Sequence, residues 1–240
     1  MRSVDQTRYW SRVSEPTSVR YMNVAKSFSH GGQQTTVLNG VSFDVAPGAY
    51  VALMGPSGSG KSTLLNLTGG IDKPTSGHVY VGQSEPATMT DDQLCDWRAR
   101  NLGFIFQRYH LIDVLTAAEN VEVPLLMFGL PKAERKRRVM SALELVGLAD
   151  RANHNPKMLS GGQEQRVAIA RAFVADPSII LADEPTGDLD TNAAEEILGL
   201  LDMLNQMGKT LLVVTHDPNA ARRARRTMYL QKGVFSEIQV

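Results

Sequence analysis

The sequence predicts an α/β fold: a parallel sheet flanked by helices, with an antiparallel β edge and an inserted helical subdomain. Three observations carry this. Tyr50-Val51-Ala52-Leu53-Met54 is a continuous apolar run, as expected of a strand buried on both faces, and a Gly-rich loop and a helical pattern follow it. Two more strand-like runs, Ser178–Ala182 and Thr210–Val214, each lead into a turn bearing acids or a histidine. Between the first run and the other two lies a long stretch of helical spacing.

In chain order, residues 1–17 read as a polar extension and residues 18–240 as one domain, with the helical subdomain at about 90–165. Val19–Val24 alternates weakly and reads as a strand. Val37–Val45 reads as a second, with a Gly31-Gly32 turn between them and a Pro47-Gly48 turn after. From Asp91 to Leu148 the spacing of Val139, Leu143, Leu145 and Val146 is helical, punctuated by Pro124 and Pro131. No internal repeat is seen.

Composition narrows the function classes. Lys+Arg and Asp+Glu balance at 25 each, so no overall basic excess favours nucleic acid. One cysteine, Cys95, cannot form an internal disulfide and fits a reducing compartment. Apolar runs such as Leu125–Phe128 and Leu211–Val214 are far below the roughly 20 residues that cross a bilayer. Met1–Arg20 carries Arg2, Asp5, Arg8, Arg12 and Glu15 without an apolar core, so it does not read as a secretory signal. Any work at a membrane would then need a second polypeptide to supply the membrane part.

Gly55-Pro56-Ser57-Gly58-Ser59-Gly60-Lys61-Ser62-Thr63 matches G-x-x-x-x-G-K-[ST] in full. Glycines let the backbone form a concave nest of N–H groups, and the following helix points its positive end at an anion. Lys61 would reach β- and γ-phosphates and Ser62 would ligate Mg²⁺. With strand, loop, Lys61-Ser62 and helix in order, this reads as a nucleotide-binding loop rather than a plain connecting turn.

Ser178–Ala182 ends in Asp183-Glu184. At the carboxyl end of a central parallel strand, side chains project into the ligand crevice. Asp183 suits support of Mg²⁺, and Glu184 suits polarising a water for in-line attack on a γ-phosphate. His216 follows the apolar run Leu211–Val214 and would hydrogen-bond the γ-phosphate.

Leu159-Ser160-Gly161-Gly162-Gln163 opens an apolar-periodic helix and offers a second anion-binding surface. One domain rarely needs two triphosphate cradles. Two copies arranged head-to-tail would use them jointly, each ATP held between one copy's loop and the other's Ser-Gly-Gly.

With these motifs in order, the sequence from about residue 19 to 240 resembles the ABC ATPase family. Gly55–Thr63 is similar to its Walker A, Leu159–Gln163 to its signature, and Ile179–Asp183 with Glu184 to its Walker B and catalytic glutamate. Gln107 resembles the Q-loop glutamine, Gly187-Asp188-Leu189-Asp190 the D-loop, and His216 the switch histidine. Phe28 stands where the family has an aromatic residue stacking on adenine.

The resemblance implies a P-loop NTPase (RecA-like) core that binds ATP and Mg²⁺ and hydrolyses ATP. Lys61, Gln107, Glu184 and His216 would be catalytic. Phe28, Gly55 to Thr63, Ser160, Gly161, Gly162, Gln163 and Asp190 would contact nucleotide, and Ser62, Gln107 and Asp183 would surround the metal. The implied partners are a second copy and an integral-membrane permease, which would hold the chain at the cytoplasmic face of the cell membrane.

Phe106–Leu111, Glu119-Asn120-Val121 and Leu181–Asp190 are similar to one subgroup, the ATPases of macrolide export, lipoprotein release and the cell-division pair. Export or extraction of an amphiphile is the expected role. A membrane coupler that signals without transport is the alternative, and a soluble ABC ATPase of DNA repair or translation is a third reading. Glu164 departs from the Gln or Arg common after the signature, and Phe28 from the more usual Tyr.

Other groups receive plainer readings. Lys132 and Arg135–Arg138 read as a solvated helix face, with contact to anionic headgroups or an acidic partner as the alternative. Arg222, Arg223, Arg225 and Arg226 are read alike, and His30, His78, His110 and His154 as surface or loop. Leu125–Phe128 reads as core, the alternative being a groove, with Phe104 and Phe106, for a helix of a membrane subunit.

Overall fold

The computed structural model describes residues 17–31 and 33–238; the expected extension up to residue 16, and Gly32 of the expected turn, lie outside them. A long hairpin, β1 (Val19–His30) and β2 (Gln33–Val45), leads into β3 (Tyr50–Met54) and α1 (Lys61–Thr68). After β4 (Ser76–Val81) come α2 (Asp91–Asn101), β5 (Leu102–Phe106), α3 (Ala117–Glu122), α4 (Lys132–Leu145) and α5 (Gly161–Phe173). The chain closes with β6 (Ile179–Asp183), α6 (Thr191–Gln206), β7 (Thr210–Val214), α7 (Pro218–Arg223), β8 (Arg226–Gln231) and β9 (Val234–Ile238).

One sheet has the order β5-β6-β7-β3-β8-β9, parallel as far as β8 and antiparallel at β9. The other is antiparallel, β2-β1-β4. Side chains alternate across a strand, so the parallel strands feed two cores. Tyr50, Ile180, Ala182, Leu211 and Val213 pack with Val167 and Phe173 of α5 and Leu198 and Leu201 of α6. Val51, Leu53, Ile179, Leu181, Leu212 and Val214 pack with α1, with α2 and with the antiparallel sheet. Burial on both faces explains why these strands read as unbroken apolar runs.

Three expectations are corrected. The helical stretch at about 90–165 contains β5, which pairs with β6 from Leu102↔Ile179 to Phe106↔Asp183 inside the parallel sheet. A Cβ on Gly103 would meet the Ala172 carbonyl oxygen at 2.2 Å, so glycine there lets α5 lie against the strand. Both hairpin strands run longer than the apolar alternation, because the exposed polar ends of β1 and β2 keep pairing out to His30↔Gln33. Finally, Leu125–Phe128 is not uniformly core: Leu125 is buried, whereas Leu126 and Met127 are exposed at the end of a 3-10 turn.

Candidate functional site

Parallel register aligns the carboxyl ends of four strands. Leu53 sits beside Val214, Val214 beside Asp183, and Asp183 beside Phe106. The next residues of each strand therefore emerge on one edge: the Gly55 loop, His216, Glu184 and Gln107. They line a cavity of about 760 Å³ together with Val37 and Val214.

The loop's shape is dictated by glycine where it touches the sheet. Gly55 has φ 145°, and a Cβ there would lie 2.1 Å from the Leu230 carbonyl oxygen of β8. Gly60 caps α1 at φ 103° with no side-chain cap, so the first N–H groups of the helix remain available to an anion. Lys61 folds back over the loop, Nζ donating to the carbonyls of Gly55 at 2.8 Å and Pro56 at 3.0 Å. That arrangement holds a positive charge over the loop, beside the uncapped start of α1. Ser59 is the exception in the loop. It does not line the cavity, and its hydroxyl is buried.

Asp183 and Ser62 form the site's hard-oxygen pair. Burial, opposed by a hydrogen bond from Ser62, pushes the Asp183 carboxyl above its usual range, and Glu184 adds to the rise. Its Oδ1 is buried without a hydrogen-bond partner among the described residues. An orphaned carboxylate oxygen beside a serine hydroxyl fits a divalent cation whose other ligands are phosphate and water oxygens, as Mg²⁺ prefers.

Glu184 lies at φ 48°, a left-handed conformation uncommon for a non-glycine residue. Its N–H donates to Val214 O at 2.9 Å, and its Oε2 accepts from His216 Nδ1 at 2.9 Å and from the His216 N–H at 3.3 Å. The carboxylate is thus held against the imidazole, whose outer face is open to the cavity. Gln107 Nε2 donates to Asp188 Oδ1 at 3.2 Å.

Other sequence-predicted residues stand apart from this cavity. Ser160 caps α5 through a capping box with Gln163: its Oγ accepts from the Gln163 N–H at 3.4 Å, and Gln163 Oε1 accepts from the Ser160 N–H at 3.0 Å. Asp190 caps α6, Oδ1 accepting from Asn192 and Ala193 N–H groups at 2.9 Å. Ser160, Gly161, Gly162 and Asp190 line a separate cavity of about 410 Å³. Phe28 is exposed on β1 opposite Thr35, with Lys26 Nζ 4.8 Å from its ring centre. Sequence reasoning gave no site role to Val37 or Gln165, and it placed Asp188 in the D-loop-like segment without its bond to Gln107. Val37 carried a usable signal as an apolar residue in a predicted strand, whereas the contacts of Gln165 and Asp188 join positions far apart in the chain.

The family described as ABC transporter matches residues 38–187. An uncharacterized ABC transporter ATP-binding protein of Thermotoga maritima is 55% identical over 196 residues, 82% of this chain and 84% of its own length. The macrolide export ATP-binding/permease protein MacB 1/2 of Paracoccus denitrificans is 46% identical over 215 residues, 90% of this chain but 32% of its own. This chain therefore corresponds to about a third of that protein. The dimeric structure of an ABC transporter cassette from Methanocaldococcus jannaschii is similar at TM-score 0.85 and 44% identity, covering 92% of this chain and 99% of that one. A post-hydrolysis dimer of the same cassette, bound to ADP and Pi, is equally similar, with TM-score 0.85.

Proposed function

The chain belongs to the ABC transporter ATP-binding family, and on that premise we propose that it binds Mg-ATP in the loop cavity and hydrolyses it between two head-to-tail copies to drive a membrane permease. The observation that carries this reading is the convergence of Lys61, the Ser62–Asp183 pair and the Glu184–His216 pair on one cavity.

The loop N–H groups and Lys61 would hold the β- and γ-phosphates, and Ser62 and Asp183 would hold Mg²⁺. When bound, that ion offsets charge on the phosphate oxygens. Glu184 Oε2 accepts the proton of the attacking water, and Nδ1 of His216 fixes the carboxylate's direction. Gln107 reaches the same cavity from β5.

Ser160, Gly161 and Gly162 line a cavity separate from their own chain's loop cavity, which supports their serving a nucleotide held by the second copy. For the permease, a largely apolar hollow of about 290 Å³ lined by Phe104, Phe106, Pro124 and Ala172, with His110 and Arg171 beside them, supports a seat for a helix, and Leu126 and Met127 are exposed on the same short helical turn as Pro124. Among the described residues no helix is long and apolar enough to cross a membrane. By likeness to its transporter relatives, the chain would sit at the cytoplasmic membrane face through that partner. Export or extraction of an amphiphile is the proposed transport role, by likeness to the macrolide export relatives.

Two substitutions test the site. Lys61→Ala removes the ammonium from the phosphate nest and is expected to abolish tight ATP binding in titration calorimetry. Wild-type affinity in that variant contradicts the loop assignment. Glu184→Gln is expected to keep ATP binding and lose on the order of 10²–10⁴ in steady-state turnover. Turnover within about threefold of wild type would assign the base elsewhere.

A further inference from the structure

Gln165 is fully buried, yet it is a polar residue five positions beyond the Ser160 cap of α5. Its Nε2 donates to Pro185 O at 2.7 Å and to Phe106 O at 3.3 Å. Phe106 immediately precedes Gln107, and Pro185 immediately follows Glu184. The β5–β6 ladder ends at Phe106↔Asp183, and there one side-chain amide links the last residue of β5 to the segment after β6.

The amide's orientation is fixed by its partners. Rotated by half a turn, Oε1 would face two carbonyl oxygens, neither of which can donate. Oε1 itself is buried without a partner among the described residues. A side chain kept only for packing would carry no such unsatisfied acceptor, since Leu or Met fills similar space without one. Glu184 also needs external support, because its left-handed backbone persists only where neighbours hold it. Arg171 of the same helix donates to the Tyr109 and His110 carbonyls at 2.7 and 2.6 Å, so α5 grips the segment after β5 at both ends.

We infer that Gln165 is a positioning residue that sets the separation of Gln107 and Glu184 and ties it to the helix bearing Ser160. The role rests on the ATPase reading above. A displacement at the amino end of α5 would move Gln165, and with it the backbone carbonyls flanking both groups.

Gln165→Met keeps the length and apolar volume of the side chain and removes both donors. In the full chain, kcat for Mg-ATP is expected to fall on the order of 10–100-fold, with KM and the calorimetric ATP affinity within about twofold of wild type. Should that variant fail to fold, Gln165→Asn retains the amide on a shorter stem, and kcat is again expected to fall with KM unchanged. A folded variant with kcat within about twofold of wild type, or with KM rising as kcat falls, overturns the positioning role alone. A wild-type chain without Mg-ATPase activity overturns this role together with the functional reading on which it rests.

Discussion

Asp183 carries opposite demands from the fold and from the site. Burial raises its pKa, so folding favours the protonated form, and the ionised carboxylate is a liability at neutral pH. The sign follows: stability improves as pH falls through the raised pKa and is withheld above it. Asp183→Asn is therefore expected to raise the thermal midpoint of the ligand-free protein at neutral pH. The gain should shrink in acid, where the wild-type carboxyl takes up its proton, while Mg-dependent turnover is lost at every pH. A lowered midpoint at neutral pH in differential scanning calorimetry contradicts this account. The convergence of Lys61 and Glu184 on one cavity was legible from local motifs in the sequence. The bonds of Gln165 and Asp188 were not, because their partners Phe106, Pro185 and Gln107 lie 20 to 81 residues away.

Elements were legible where one physical signal dominated. The strands Tyr50–Met54, Ile179–Asp183 and Thr210–Val214 are buried on both faces and show it as apolar runs. β5 was hidden because Leu-Gly-Phe-Ile-Phe directly follows α2 with no intervening turn, and its glycine reads as a breaker until Ala172 is seen against it. The same close-packing argument makes a test of the loop. At Gly55 a methyl group would collide with the Leu230 carbonyl oxygen of β8, so the strand-to-loop junction must shift. Gly55→Ala is expected to destabilise the protein by about 1–3 kcal/mol and to weaken ATP binding with it. An unchanged urea midpoint would mean that the junction is more yielding than its packing indicates.

At the scale of the molecule, the fold presents two cavities that use the two ends of the same logic. One gathers strand ends and the glycine loop around Lys61, and the other gathers the amino ends of α5 and α6 around Ser160 and Asp190. The separation of these two sets was expected from the sequence on the ground that one chain rarely needs two triphosphate cradles. What the sequence did not disclose is that Ser160, Gln163 and Asp190 already cap their own helices, so a nucleotide from a second copy would meet side chains held in place by capping bonds. The central claim is that two copies close around shared ATP. Light scattering on Glu184→Gln tests it most directly, since that variant should bind ATP without consuming it. The account predicts a mass of one chain, 26.3 kDa, without nucleotide or with ADP, and twice that with ATP. ATP bound at full occupancy with the mass still that of one chain would contradict it.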